Sequence, residues 1–172
     1  VRYRRVEGGE ESELEAVNSR FNSELSEQIG GRQSEGHVYR LGLPSAVLRG
    51  AGVPNLPIEL SARRLRSKSE QSNHPFDLEE VKNLPRLVQN PMAVFRSATR
   101  LGSFVVMLEL EHNGKNYVVA IEANRRKGRL DINDIRSVHY RSSSTHFARW
   151  IEEGLLEYVD KKRVLEWLSK QR

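Results

Sequence analysis

His74, Arg96 and Glu122 are the side chains of this sequence best suited to moving protons and holding anions. His74 abuts Pro75 in NHPFD, and a proline pushes the residue before it into extended backbone, which can aim a ring over a neighbouring surface. Arg96 and Ser97 close the apolar run MAVFRS, which reads as a strand end. Glu122 precedes ANRRKGR, where Arg125, Arg126, Lys127 and Arg129 share one short loop. If the strand ending at Ser97 runs antiparallel to the next, a carboxylate, an arginine and a cationic loop meet on one rim of a sheet. The chemistry open to such a set is phosphodiester cleavage: a base for a hydroxyl proton, an acid for the leaving oxygen, and cations on the phosphorane. Glu122 or a histidine would be the base, a histidine the acid, and Arg96 with Arg136 the clamp. An ordinary salt-bridged sheet edge uses the same residues, and both readings stay open at this point.

Other chemistries find less support. Glu109 and Glu122 lie on one face of a hairpin but about four residue steps apart, roughly 13 Å, too far for a glycosidase pair. The remaining histidines, His37, His112, His139 and His146, show no metal-ligand spacing. His139 and Tyr140 end a strand, and one of them must face its open side. There is no P-loop, GxGxxG or GxSxG, and no cysteine for a thiolate, a disulfide or a cysteine-bound zinc. No metal or cofactor is expected.

The elements that must place these residues are readable from periodicity. Residues 11–29 put Leu14, Val17, Phe21, Leu25 and Ile29 on one helical stripe. Residues 32–57 are rich in Gly and Pro and read as a connector with one short helix after Pro44. A basic helix over 59–70 carries Arg63, Arg64, Arg66 and Lys68. Asp77 is a candidate N-cap for DLEEVKNL, which Pro85 should interrupt. MAVFRS, SFVVMLELEH, KNYVVAIEAN and LDINDIRSVHY then read as four strands, and two amphipathic helices follow. The expectation is an α+β fold: N-terminal helices on a four-stranded antiparallel sheet, with C-terminal helices after it. Asn113-Gly114 marks a type I′ hairpin turn, whose simple register pairs His112 with Lys115, Met107 with Ala120 and Val105 with Glu122. Three units are expected: an acidic amphipathic segment 1–31, the connector 32–57 and a functional domain 58–172.

The formal net charge is +5, and residues 1–31 carry four basic against seven acidic side chains. The rest is therefore strongly basic, which suits a polyanionic partner. The acidic helix is either a guard over the cationic cleft or a linker. The chain starts at Val1 and its first methionine is Met92, so it reads as a piece of a longer polypeptide. No apolar run reaches membrane-spanning length.

The succession LPIELSARRL, HPFDLEEVKNLP, NPMAVFRS, VVAIEANRRKGRLDINDIRSVH and WIEEGLLEYVDKKRVLEWL, over about residues 56–169, resembles the phage MuF C-terminal domain, a toxin-like module of phage and mobile-element proteins. The resemblance implies the nuclease fold group of barnase, EndoU, colicin nuclease domains and RelE, with N-terminal helices on a four-stranded sheet. It implies a metal-independent endoribonuclease acting on tRNA or mRNA. A monomer acting in the bacterial cytoplasm is expected, with an immunity protein as a further partner. The family pattern stresses His74-Pro75-Phe76, Phe95-Arg96-Ser97 and Asn133-Asp134-Ile135-Arg136-Ser137. Together with the residue-level reading this gives His74, Arg96, Glu122 and Arg136 as catalytic candidates. Lys68, Ser97, Arg125, Arg126, Lys127, Ser137 and Tyr140 are the substrate-binding candidates. A non-catalytic module binding nucleic acid or protein is the alternative. An ADP-ribosyltransferase is weaker still, for want of an arginine strand with a downstream Glu-x-Glu.

Overall fold

The computed structural model describes residues 2–170, with side chains at 11–142 and 146–170; Val1 and residues 171–172, the ends of the expected outer units, lie outside it. Asn113 and Gly114 take φ values of 50° and 78°, as a type I′ turn requires. They join β4 (Ser103–His112) to β5 (Lys115–Lys127). On either side lie β3 (Ala93–Arg96), antiparallel to β4, and β6 (Leu130–Arg141), antiparallel to β5. These are the four expected strands.

The sheet nonetheless has seven strands, in the order β1-β2-β6-β5-β4-β3-β7, and the four-stranded expectation is wrong. The additions are β1 (Val38–Gly42), β2 (Ile58–Ser61) and β7 (Leu156–Val159). β1 lies inside the Gly/Pro-rich segment 32–57, which also supplies the short helix α2 (Ala46–Gly50). β2 runs directly into α3 (Ala62–Ser69), and Ser61 caps that helix by accepting from the Arg64 N–H. The first three residues of the basic segment 59–70 are thus strand, and the helix starts at Ala62. Elements of four or five residues give alternation too few positions to show itself. β2 lies parallel to β6; the other pairings are antiparallel.

The 28-residue α1 (Arg2–Ile29) packs on the first face of the sheet, where Phe21 and Leu25 are buried and the Phe21 ring lies 4.8 Å from Tyr39. α1 also meets α4 (Leu84–Gln89). Pro85 occupies the first turn of α4, where its missing N–H costs nothing, so it begins a helix rather than interrupting one. Before it, residues 78–81 form a 3-10 turn with Asp77 at its N-cap, and the Asp77 N–H donates to Glu80 at 2.9 Å. The main core on this face includes Leu41, Leu60, Leu65, Val106, Val119 and Val138.

The second face of the sheet carries a core of its own. Met107 and Val118 are buried there with Phe95, Phe147, Trp150 and Trp167, under α5 (Ser143–Glu152) and α6 (Lys161–Lys170). The hairpin register is also corrected. A bulge between Met107 and Glu111 moves the pairing by two residues, so that Met107 faces Val118, Val105 faces Ala120 and Ser103 faces Glu122. Among the described residues no helix is long and apolar enough to cross a membrane.

Candidate functional site

β2 covers only the Asn133–Asp134 portion of β6, and the HPF turn wraps the edge beyond. Its anchors flank His74. The Phe76 N–H donates to Ser69 O at 3.0 Å, the Phe76 ring packs 5.5 Å from Tyr117, and the Tyr140 hydroxyl donates to Pro75 O at 3.0 Å. The His74 ring lies edge-on to Tyr140 at 5.5 Å and 6.1 Å from His139. A cleft of about 400 Å³ opens there. Gln71 and His74 line it from the turn, Ser137, His139 and Arg141 from β6, and Ser142 and His146 from the start of α5.

Hydrogen bonds fix the tautomer of His139. Arg141 Nε donates to His139 Nε2 at 2.9 Å, so Nε2 is the acceptor and Nδ1 carries the proton it shares with Ser137 Oγ at 2.7 Å. Burial, and then the charges of Arg141, His74 and Lys68, push the His139 pKa down to about 4. A neutral ring with both nitrogens engaged is a poor proton shuttle at neutral pH. It is a good post for Arg141, whose guanidinium carbon also lies 5.6 Å above the Trp150 ring. The His146 ring lies 6.2 Å from the same tryptophan. Two imidazoles, His74 and His146, thus line a cleft whose arginine is held from two sides.

The other candidates fall into separate groups. Arg96 pairs with Glu157 and donates to Gly154 O at 2.7 Å. Its strand is three places from β6, about 14 Å at ordinary strand spacing, so the expected meeting of Arg96 with His74 does not occur. Ser97 organises the loop that follows: its hydroxyl accepts from the N–H groups of Thr99 and Arg100 at 3.3 and 3.2 Å. That loop delivers Arg100, not Arg96, to Glu122, at 3.5 Å. Glu122 also meets Arg125 and Arg136, each at 3.4 Å. It lies on the same face as His139 but four residues along β5 from its partner Val118, about 13 Å away. Lys127 is engaged with Glu59 at 2.8 Å, and Arg126 donates to Gly128 O at 3.1 Å. Tyr140 is 6 % exposed and stacked on His112 at 4.2 Å, while His112 Nδ1 lies 2.6 Å from Glu80. Tyr140 shapes the turn beneath His74 rather than facing solvent. Lys68 is close enough for its charge to depress His139.

The sequence marks His139, with Tyr140, as a secondary candidate at a strand end, and gives no role to Arg141, His146, Arg100 or Gln71. One signal was present: Ser137, His139 and Arg141 alternate, which puts all three on one face of a strand. Among the described residues no group of three or more His, Asp or Glu could hold a metal.

Comparison with known families matches residues 65–166 to the model described as the phage MuF C-terminal domain. No curated protein and no solved structure matches the chain.

Proposed function

We propose that this chain, a phage-protein module that belongs to the phage MuF C-terminal domain family, cleaves RNA by 2′-hydroxyl attack at the His74 cleft. The observation that carries this reading is the pair of imidazoles, His74 and His146, lining one cleft with a pinned Arg141. His74 takes the 2′-hydroxyl proton, O2′ bonds to phosphorus and the P–O5′ bond breaks. The departing 5′-oxygen takes a proton from the His146 imidazolium. The products are a 2′,3′-cyclic phosphate and a 5′-hydroxyl. Arg141 and Lys68 oppose the charge that builds on the phosphorane. His139 touches neither transferred proton and serves as the positioning residue for Arg141 and Ser137.

In this reading the substrate is tRNA or mRNA met in a bacterial cytoplasm. The working form in this reading is a monomer, and an immunity protein would act by covering the cleft. The experiment is incubation of purified protein with tRNA and mRNA in EDTA, with product ends identified. Cyclic-phosphate ends are expected, and His74→Ala or His146→Ala should lower the rate by about 10²-fold or more with the melting temperature retained. RNA left intact at high protein concentration removes the reading. Salt-sensitive retention of RNA without products would point instead to a binding module.

A further inference from the structure

The charged side chains around Glu122 form a second site that the reaction at the cleft leaves unused. Three guanidiniums converge on one oxygen, Glu122 Oε2: Arg100 at 3.5 Å, Arg125 at 3.4 Å and Arg136 at 3.4 Å. Below it, Asp134 Oδ2 meets Arg64 at 3.1 Å, Arg125 at 3.2 Å and Arg136 at 3.9 Å. Four arginines from four different segments therefore surround two carboxylates, an excess of two positive charges in one place.

The layering is informative. Asp134 and Arg64 form the inner layer, with side chains 12 % and 26 % exposed, while Arg100 and Arg125 are 55 % and 41 % exposed. Contacts of 3.4 Å or more to a single shared oxygen lie at the long end for hydrogen bonds. A guanidinium has five donors, so each outer arginine keeps donors for another acceptor. Glu122 offsets the mutual repulsion of the three and holds their forks together. The backbone is specialised here as well: β5 and β6 are bulged between Glu122 and Arg125, and Asn124 takes a φ of 55°. Bulges re-aim side chains, and a strained non-glycine residue marks a place where geometry is imposed.

Planar forks held by carboxylates match phosphate oxygens. On the Glu122 face of β5, Val118 lies in the second core, but the cross-strand pair Ala120 and Ser137, between the cleft and the arginines, is only half-buried. A strand whose scissile phosphate lies at the His74 cleft can therefore run along this face to the arginines. The interval of about 13 Å corresponds to about four phosphates at stacked rise, and to fewer in an extended strand. We infer that Arg100, Arg125 and Arg136, held by Glu122 and Asp134, form a phosphate subsite for single-stranded RNA flanking the cleavage point. Glu122 is a positioning residue there and not the base. The identity of the occupant rests on the reading of the cleft as an RNA-cleaving site.

The test uses the full chain and a 2′-O-methylated single-stranded RNA of about twelve nucleotides, which cannot undergo 2′-attack, titrated by fluorescence anisotropy across about 50–200 mM salt. Arg100→Ala lies in an exposed loop and serves as the fold-neutral variant; Arg125→Ala is the second, each checked by thermal melting. Each should weaken binding about tenfold and lower the slope of log K against log salt by about 0.7, the value of one single-strand phosphate contact. Glu122→Gln should raise KM for RNA while leaving both limbs of the pH–rate profile in place; loss of the basic-group limb would make Glu122 the base and overturn its assignment. Wild-type affinity and slope in both arginine variants overturn the subsite, as does a wild type that binds no RNA at low salt. Tighter binding of the matching duplex overturns the single-strand assignment. RNA bound with these slopes but never cut removes the reaction at the cleft and leaves the subsite standing.

Discussion

At the scale of single residues, His139 is the position whose behaviour follows most directly from its surroundings. Its pKa of about 4 in the folded chain lies below the ordinary 6.5 because burial, and then the neighbouring Arg141, His74 and Lys68, disfavour the charged ring. The unfolded chain therefore binds a proton that the folded chain refuses between those two values. The contribution to stability is complete above pH 6.5 and is lost as pH falls towards 4, by about 2 kcal/mol at pH 5. His139→Gln keeps an acceptor for Arg141 but cannot titrate. Urea unfolding at pH 7 and pH 5 should show the wild type losing about 2 kcal/mol more than the variant; equal losses would refute the assigned tautomer and environment. The sequence reveals little of this, since the shift depends on burial of the ring and on Arg141, His74 and Lys68, which three separate segments bring to it. Arg96 teaches the converse. Its place at a strand end was legible, but its partner Glu157 sits on β7, a strand too short to be read in advance.

At the scale of elements, the join between α1 and α4 is an asparagine cluster. Asn83 Oδ1 accepts from Asn18 and Asn22 at 2.9 and 2.8 Å, and the Asn83 N–H donates back to Asn22 Oδ1 at 2.8 Å. Asn83 also holds a φ of 68°, the left-handed region that only glycine enters without cost and asparagine tolerates. Asn83→Ala loses the two bonds to its side-chain oxygen and retains the strain, and should cost on the order of 2–4 kcal/mol. Asn83→Gly loses the same bonds without the strain, and should be milder by about 1 kcal/mol. Thermal melts of the two variants decide it; equal melting temperatures would show that backbone strain plays no part. This join fixes α1 on the face of the sheet away from the cleft, so the acidic helix does not lie over the cleft as a guard. Its amphipathic stripe was readable from spacing, whereas the face it would choose was not, because that depends on β1 and α4. The long central strands and their turn were legible because each carries enough alternating residues, and the Asn113-Gly114 register failed only at the bulge. Side chains cannot announce an extra backbone residue in advance.

For the whole molecule, the family match and the folding unit have different extents. The match begins at residue 65, yet β1, β2 and α1 all precede it. Those segments, with α2, contribute Phe21, Leu25, Tyr39, Leu41, Leu48, Ile58 and Leu60 to the main core, each at most 2 % exposed. Burying one large apolar side chain contributes about 1.5–3 kcal/mol, and domains are stable by only about 5–15 kcal/mol in total. The matched segment alone would also leave β6 without its parallel neighbour and would lose Trp167, 7 % exposed in the second core. Residues 65–166 expressed alone should therefore lack a cooperative melt and dispersed amide resonances, while residues 11–170 should retain both. A cooperative transition in the short fragment would mean that the N-terminal segments decorate the domain. Its absence, restored by the longer chain, would mean that the cleft at β6 exists because α1, β1 and β2 hold the far edge of the sheet in place.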